Sequence, residues 1–230
     1  MRQLPLPVRL RDFALFETFE PGPNGAVVAV LAAPVQAGPA VWVWGPAGSG
    51  KSHLLQAACA EHARAAYLPA ADLRPGGPET LAGWEERELV CVDDVDLLLG
   101  ERPWELALFG LFNALWERQA CLVVSASSAP ASAGFVLPDL ASRLAWGGVF
   151  RLELLDDEGR IAALRRRARY RGLELPEDVA RYLLRRLPRD MRALCGWLDR
   201  LDTASLAAGR RLTMPFVREV IAGGRPEHPA

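Results

Sequence analysis

The stretch Gly45-Pro46-Ala47-Gly48-Ser49-Gly50-Lys51-Ser52 fits the pattern G-x-x-x-x-G-K-[ST]. It follows a short apolar run at residues 40–44 and opens a helical pattern at Lys51. Glycines in this setting let backbone N–H groups wrap phosphates, and the helix N-terminus adds its dipole. Lys51 is the single lysine among 27 basic residues. The stretch therefore predicts a nucleotide-binding loop, with the compact Lys51 ammonium on the β and γ phosphates.

Two carboxylates end a second apolar run, at Asp93 and Asp94. A carboxylate at a strand end downstream of a phosphate loop can reach Mg²⁺, together with the Ser52 hydroxyl. We expect Ser52 and Asp93 to hold the metal and Asp94 to activate water. Because Asp96 follows closely, the alternative is a solvated acidic turn. His53 is counted with the nucleotide-binding residues, although a structural role is the favoured interpretation.

The apolar runs predict an α/β fold. Short runs at residues 40–44, 65–68, 89–92, 122–124 and 149–154 are typical of strands, and helices of ten or more residues between them indicate a five-stranded, mainly parallel sheet. After Asp156, a plausible helix cap, only helical patterns follow, at about 157–171, 176–187, 189–207 and 214–222. The predicted organisation is a tail at 1–11, a nucleotide-binding domain at 12–155, a helical domain at 156–224 and a tail at 225–230.

Composition narrows the class of protein. The formal net charge is −1, but residues 1–155 carry 11 basic and 17 acidic side chains whereas residues 156–230 carry 16 and 11. No apolar run is long enough for a membrane span or a signal peptide. The four cysteines are far apart and form no CxxC pair, so neither a disulfide framework nor a zinc site is indicated. We expect a cytoplasmic protein with no membrane partner.

Four segments together resemble the DnaA-like AAA+ family: GPAGSGKSHLLQA, VCVDDVDLL, LPDLASRLAWGGVFRLELL and RDMRAL. The resemblance implies an AAA+ P-loop core followed by a small all-α lid, with ADP or ATP and Mg²⁺ as cofactors. It also implies that Arg143 is a finger reaching the nucleotide of a neighbouring subunit, and that Arg192 contacts the protomer's own nucleotide. The alternatives are an intramolecular salt bridge for Arg143 and a solvated helix face for Arg192.

The N-terminal segment adds a partner. Gln3-Leu4-Pro5-Leu6-Pro7-Val8 is similar to the peptide with which relatives of DnaA bind the sliding clamp, the beta subunit of DNA polymerase III. The amide of Gln3 can make several hydrogen bonds, Leu4 and Leu6 can fill apolar pockets, and Pro7 and Val8 complete the pattern. DNA would then be contacted indirectly, through the clamp. The alternative is an ordinary proline-containing tail.

The resemblance implies a negative regulator of replication initiation rather than an enzyme. In its ADP-bound form it would stimulate ATP hydrolysis by the initiator DnaA. Ser125 and Ser127 stand where relatives often place a threonine or serine and an aspartate, and because Ser127 supplies no charge, efficient hydrolysis by this chain itself is not expected. One alternative is a self-sufficient ATPase of helicase-loader type acting on single-stranded DNA. Another is a regulator that only bridges its partners. A homodimer or higher oligomer stays open. The arginine run at 165–171 is interpreted as a solvated helix face rather than a DNA contact.

Overall fold

The computed structural model describes residues 14–33, 38 and 40–223. These form two compact units. The first ends at Leu154, and the second begins at Leu155 and also includes Thr18–Gly22. The predicted clamp-binding residues Gln3, Leu4, Leu6, Pro7 and Val8 and the C-terminal tail lie outside the described residues.

A five-stranded sheet forms the centre of the first unit, in the order β2-β3-β4-β1-β5. All four strand pairs are parallel, which confirms the predicted α/β sheet. The interior strand β3 is buried at every position, as expected for a strand covered on both faces. The strands are β1 Val41–Trp44, β2 Ala65–Pro69, β3 Leu89–Asp93, β4 Cys121–Ala126 and β5 Val149–Arg151.

Two details differ from the sequence-based expectation. β5 was predicted to reach residue 154 but ends at Arg151, because it is an edge strand whose only neighbour, β1, ends at Trp44. The connection from β2 to β3 contains no helix of ten residues. It consists of the four-residue helix α3 followed by 3-10 turns, which matches its richness in proline and glycine.

The described residues of the first unit contain five α-helices, and α4 forms most of the helical side of the core. Its Trp104, Leu108, Phe112 and Leu115 recur at helical spacing and are all buried. The short helix α5 was not anticipated, although Pro138 at its start and the buried pair Leu140 and Leu144 are typical helix features. The helices are α1 Gly25–Ala32, α2 Lys51–Glu61, α3 Ala70–Leu73, α4 Arg102–Glu117 and α5 Pro138–Ala145.

The second unit is helical, as predicted. Asp156 caps α6 by accepting a hydrogen bond from the Gly159 N–H at 2.7 Å, and Asp190 caps α8 in the same way. Its core is built mainly from leucines. No helix in the described residues has the length and apolarity needed to cross a membrane. The helices are α6 Asp157–Tyr170, α7 Glu177–Arg186, α8 Met191–Ala208 and α9 Met214–Gly223.

The arginine run on α6 is used largely within this unit. Arg167 is buried and pairs with Asp199 at 3.1 Å, and Arg171 pairs with the same carboxylate at 2.8 Å. Arg165 and Arg166 also pair with acidic side chains, Glu177 and Glu20. Because these four guanidinium groups already have carboxylate partners, the run provides little charge for a DNA contact.

Candidate functional site

The phosphate loop connects β1 to α2 and requires glycine at its first position. A Cβ atom at Gly45 would lie 2.5 Å from the carbonyl oxygen of Leu152, a backbone atom that cannot turn aside. Gly50 has a φ of 99° and precedes the first residue of α2 directly, so the chain turns sharply into the helix. The N–H groups of the first helical turn have no partners within the helix and therefore face the loop.

Lys51 extends back over this loop. Its side chain is buried, and its ammonium nitrogen donates to the carbonyl oxygens of Gly45 at 2.8 Å and Pro46 at 3.4 Å. The charge is therefore held by neutral acceptors that a phosphate oxygen can replace at little cost. This position agrees with the expectation that Lys51 holds the β and γ phosphates.

Ser49 provides a test of whether the loop fits a phosphate group. Its hydroxyl oxygen is buried and has no hydrogen-bond partner within the described residues. An unsatisfied buried hydroxyl costs free energy, whereas a bound anion would accept its proton. The orphaned hydroxyl, the glycine cradle and the ammonium together fit the phosphates of a nucleotide.

The strand-end carboxylate Asp93 is buried and held on both sides. The hydroxyl of Tyr67, in the middle of β2, donates to one of its oxygens at 2.6 Å. The Ser125 hydroxyl on β4 donates to the other oxygen and accepts from the Asp94 N–H at 2.8 Å. Neither contact could be read from the sequence, because the partners come from three strands whose order was not known. They fix the orientation of the predicted metal ligand.

Tyr67 also lies next to the helix that follows the phosphate loop. Gln56 on α2 donates to the Tyr67 hydroxyl at 3.1 Å, and nearby Ser52 favours a lower pKa of the phenol. Burial, followed by the charge of Asp93, raises the pKa of Tyr67 well above its ordinary value, so the phenol stays protonated. Binding of Mg²⁺ by Ser52 and Asp93 stays a prediction.

Asp94 has a different environment from Asp93. It is exposed and adopts the left-handed conformation, with φ 54° and ψ 51°, which aspartate tolerates better than most residues. The turn directs the chain away from the strand immediately after Asp93. The location at the carboxyl end of the sheet is the one expected for a residue that activates water.

A further carboxylate reaches the end of β4. The Asp96 side chain accepts a hydrogen bond from the Ser127 N–H at 2.6 Å. Ser127 itself carries no charge, but the turn after β3 places the Asp96 carboxylate at the backbone N–H of Ser127. Asp96 is half-buried, so it is not simply part of a solvated acidic turn.

Arg143 lies in the last turn of α5 and makes no ion pair within the described part of the chain. Its guanidinium carbon is 6.0 Å from the ring centre of Phe112 and 5.8 Å from that of Trp146. The alternative of an intramolecular salt bridge therefore finds no support in the described residues. A half-buried arginine with its hydrogen-bond donors uncommitted can receive an external anion.

A buried glutamate fixes the helix that carries Arg143. Glu105 on α4 is fully buried, and its carboxylate accepts the N–H groups of Gly100, Val136 and Leu137 at 2.6–3.1 Å. Val136 and Leu137 immediately precede α5, which has no capping side chain of its own. Glu105 thus fixes the residues that lead into α5 from a neighbouring helix, a role that sequence inspection missed because the contact spans 31 residues.

The other predicted site residues are less informative. His53 bonds the Leu15 carbonyl oxygen through its Nε2 atom at 2.9 Å, which is consistent with the structural role favoured for it. Arg192 is exposed in the first turn of α8, in the second unit, and its contact with a nucleotide stays a prediction.

Comparisons with known proteins agree with this arrangement. Residues 157–221 match the family model described as "Hda, lid domain". Domain III of the Thermotoga maritima replication initiation protein DnaA is similar over 94% of this chain and 98% of its own, with 23% identity and a TM-score of 0.73.

Longer proteins also share the fold. AMPPCP-bound DnaA from Aquifex aeolicus has 25% identity and a TM-score of 0.69, and the match covers 91% of this chain and 70% of that one. A Thermotoga maritima RuvB variant has 17% identity and a TM-score of 0.61, over 80% and 61%. The chain therefore has the fold of DnaA domain III, and its helical segment at residues 157–221 matches the Hda lid domain.

Proposed function

We propose that this protein is a negative regulator of replication initiation that stimulates ATP hydrolysis by DnaA. The observation that carries the proposal is Arg143, a half-buried guanidinium without a carboxylate partner in the described residues. A guanidinium placed near a γ-phosphate stabilises the charge that spreads over its oxygens in the transition state. The phosphate would belong to ATP bound by DnaA, and this chain would hold ADP on its own loop.

The nucleotide on this chain has a supporting role in the proposal. Lys51, Ser49 and the loop glycines provide a phosphate cradle, while Ser52 and Asp93 provide oxygen ligands for Mg²⁺. When bound, Mg²⁺ would neutralise phosphate charge. AMPPCP is bound in two of the DnaA structures that share the fold, which supports a nucleotide here.

The sliding clamp is the second proposed partner. Gln3, Leu4, Leu6, Pro7 and Val8 would bind the beta subunit on DNA and so bring Arg143 to DnaA near the replication machinery. Replacing Gln3 and Leu4 with alanine should abolish retention on immobilised clamp. Arg11 lies in the same tail but outside the hexapeptide, so Arg11→Ala should be retained like the wild type. Retention of the double variant on the clamp would refute the assignment of the hexapeptide as the clamp-binding motif.

The central experiment measures hydrolysis of DnaA-bound ATP with clamp-loaded DNA and this protein. Arg143→Ala should reduce stimulation towards the unstimulated rate, because arginine fingers contribute about 10³–10⁵-fold in rate. Arg64→Ala is the matched control, since Arg64 is exposed and already paired with Glu88 before β2 and β3 begin. Unchanged stimulation by Arg143→Ala, with ADP binding intact, would eliminate the finger assignment.

A second candidate is a self-sufficient ATPase of helicase-loader type that works on single-stranded DNA. The observation that favours it is the carboxylate of Asp96 at Ser127, together with exposed Asp94 beside the buried Asp93. These groups supply the charge that the sequence at the end of β4 lacks. Turnover by the isolated protein, rising with single-stranded DNA and lost in Asp94→Asn, would support this function over the first.

A further inference from the structure

Three aromatic side chains form a row beside Arg143. Phe112 and Trp116 are one helical turn apart on α4, and their rings stack with centroids 6.3 Å apart and planes 11° from parallel. Trp146, which follows α5, lies 5.4 Å from Trp116. Phe112 is buried at 2% exposure, whereas Trp146 is 60% exposed. This aromatic row thus leads from the core to the surface.

Arg143 lies against both ends of the aromatic row. Its guanidinium carbon is close to the rings of Phe112 and Trp146, at 6.0 and 5.8 Å. A cation is attracted to the face of an aromatic ring by the ring's quadrupole. A free arginine side chain samples many rotamers, and contacts on two rings restrict that freedom before any partner arrives.

Aromatic rings hold a guanidinium in a different way from a carboxylate. Arg64, Arg74 and Arg118 in the same unit pair with glutamates at 2.6–3.2 Å, so their charge and part of their donor set are already used. A ring attracts the cation but accepts no in-plane N–H···O bond. Within the described residues, Arg143 is therefore held in place with its five N–H donors available for an anion.

We infer that Trp146, together with Phe112, is a positioning residue that presets Arg143 for an incoming phosphate group. The identity of that phosphate, on a partner's nucleotide, rests on the proposed function. The ordering of the Arg143 side chain does not depend on the proposed function. Trp146 itself touches no reacting atom in this scheme; it acts through the arginine. Glu105 contributes at longer range because it fixes the start of α5.

The test compares Trp146→Leu with Trp146→Phe in the full-length protein. Leucine preserves apolar contact without a ring face, whereas phenylalanine retains the face. We expect Trp146→Leu to weaken DnaA-dependent stimulation about 2- to 30-fold, the equivalent of ~0.5–2 kcal/mol for a cation–ring contact. Trp146→Phe should recover most of it. Because Trp146 is largely exposed, both variants should fold.

A second readout is independent of DnaA. NMR order parameters of the Arg143 Nε–Hε group, assigned with Arg143→Ala, should fall in Trp146→Leu and recover in Trp146→Phe. Arg151, which lies 5.4 Å over the ring of Trp44, is an internal reference and should not change. If the Arg143 order parameter is already low in the wild type, or is unchanged in Trp146→Leu, the inference is overturned.

The two readouts separate the inference from the proposed function. If Arg143→Ala leaves stimulation intact while Trp146→Leu still mobilises Arg143, the finger function fails and the positioning role stands. If Trp146→Phe is as defective in stimulation as Trp146→Leu although Arg143 remains ordered, Trp146 contacts the partner directly and the positioning role is overturned.

Discussion

Removing one oxygen atom from Tyr67 should destabilise the first unit strongly. In Tyr67→Phe, Asp93 loses a hydrogen bond donated at 2.6 Å, and the buried Gln56 amide loses its acceptor at 3.1 Å. A hydrogen bond to a charged group contributes about 1.5–3 kcal/mol and a neutral one about 0.5–1.5 kcal/mol. We therefore expect the free energy of unfolding to fall by about 2–4 kcal/mol, and Tm by roughly 5–15 °C.

Urea unfolding followed by tryptophan fluorescence at pH 8 measures this difference. Tyr170→Phe is the matched control, because Tyr170 is 43% exposed and should change stability by less than about 0.5 kcal/mol. A loss in Tyr67→Phe as small as that of the control would refute the idea that Tyr67 supports Asp93.

The same variant predicts a pH dependence. Burial and Asp93 raise the pKa of Tyr67 above its ordinary value of 10.0, so the phenol ionises first in the unfolded chain. Its contribution to stability is complete below pH 10 and is lost as pH rises further. The difference between the wild type and Tyr67→Phe should therefore shrink above pH 10, by up to about 1.4 kcal/mol per pH unit.

Three other changes give measurable outcomes. Lys51→Ala and Lys51→Arg should both weaken binding of a fluorescent ADP analogue by about 10–100-fold. Alanine lacks the charge, and the wide guanidinium of arginine cannot place its charge where the compact ammonium lies. Near-normal affinity of the arginine variant would contradict the assigned role of Lys51. Glu105→Gln should lower the free energy of unfolding by about 1–3 kcal/mol, because its amide donor would face the backbone N–H donors of Val136 and Leu137. The same change should reduce stimulation by Arg143. A variant as stable as the wild type in urea would exclude this role of Glu105. Burial raises the pKa of the Cys121 thiol from 9.0 to about 11. Its contribution to stability is therefore present below pH 9 and is lost between pH 9 and 11. In the same urea assay, the free energy of unfolding of Cys121→Ala should fall less over this pH range than that of the wild type.

Local patterns carried most of the fold. The phosphate loop, the five apolar runs and the helical periodicity after Asp156 reflect contacts close in sequence, and the structure places a strand or helix at each. Where an adjacent strand determines where a strand ends, the apolar pattern predicted the end less well. β5 stops early because β1 does, and no property of residues 152–154 alone reveals this.

The supporting contacts of the site were beyond reach of the sequence. Tyr67 and Asp93 are 26 residues apart, and Ser125 and Asp93 are 32 residues apart. They meet only because β3 lies between β2 and β4, and strand order is not encoded in any single segment. The acidic residues at the end of β3 could be recognised from the sequence, but their hydrogen-bond partners could not.

The short segment Thr18–Gly22 has a practical consequence for dissecting the molecule. It belongs to the second unit although stretches of the first unit flank it in sequence, and its Glu20 pairs with Arg166 on α6 at 3.2 Å. A fragment cut at Leu155 would separate that carboxylate from its arginine. Limited proteolysis or domain exchange between relatives should therefore treat the second unit as a discontinuous module, in which two separate stretches of chain are inherited together.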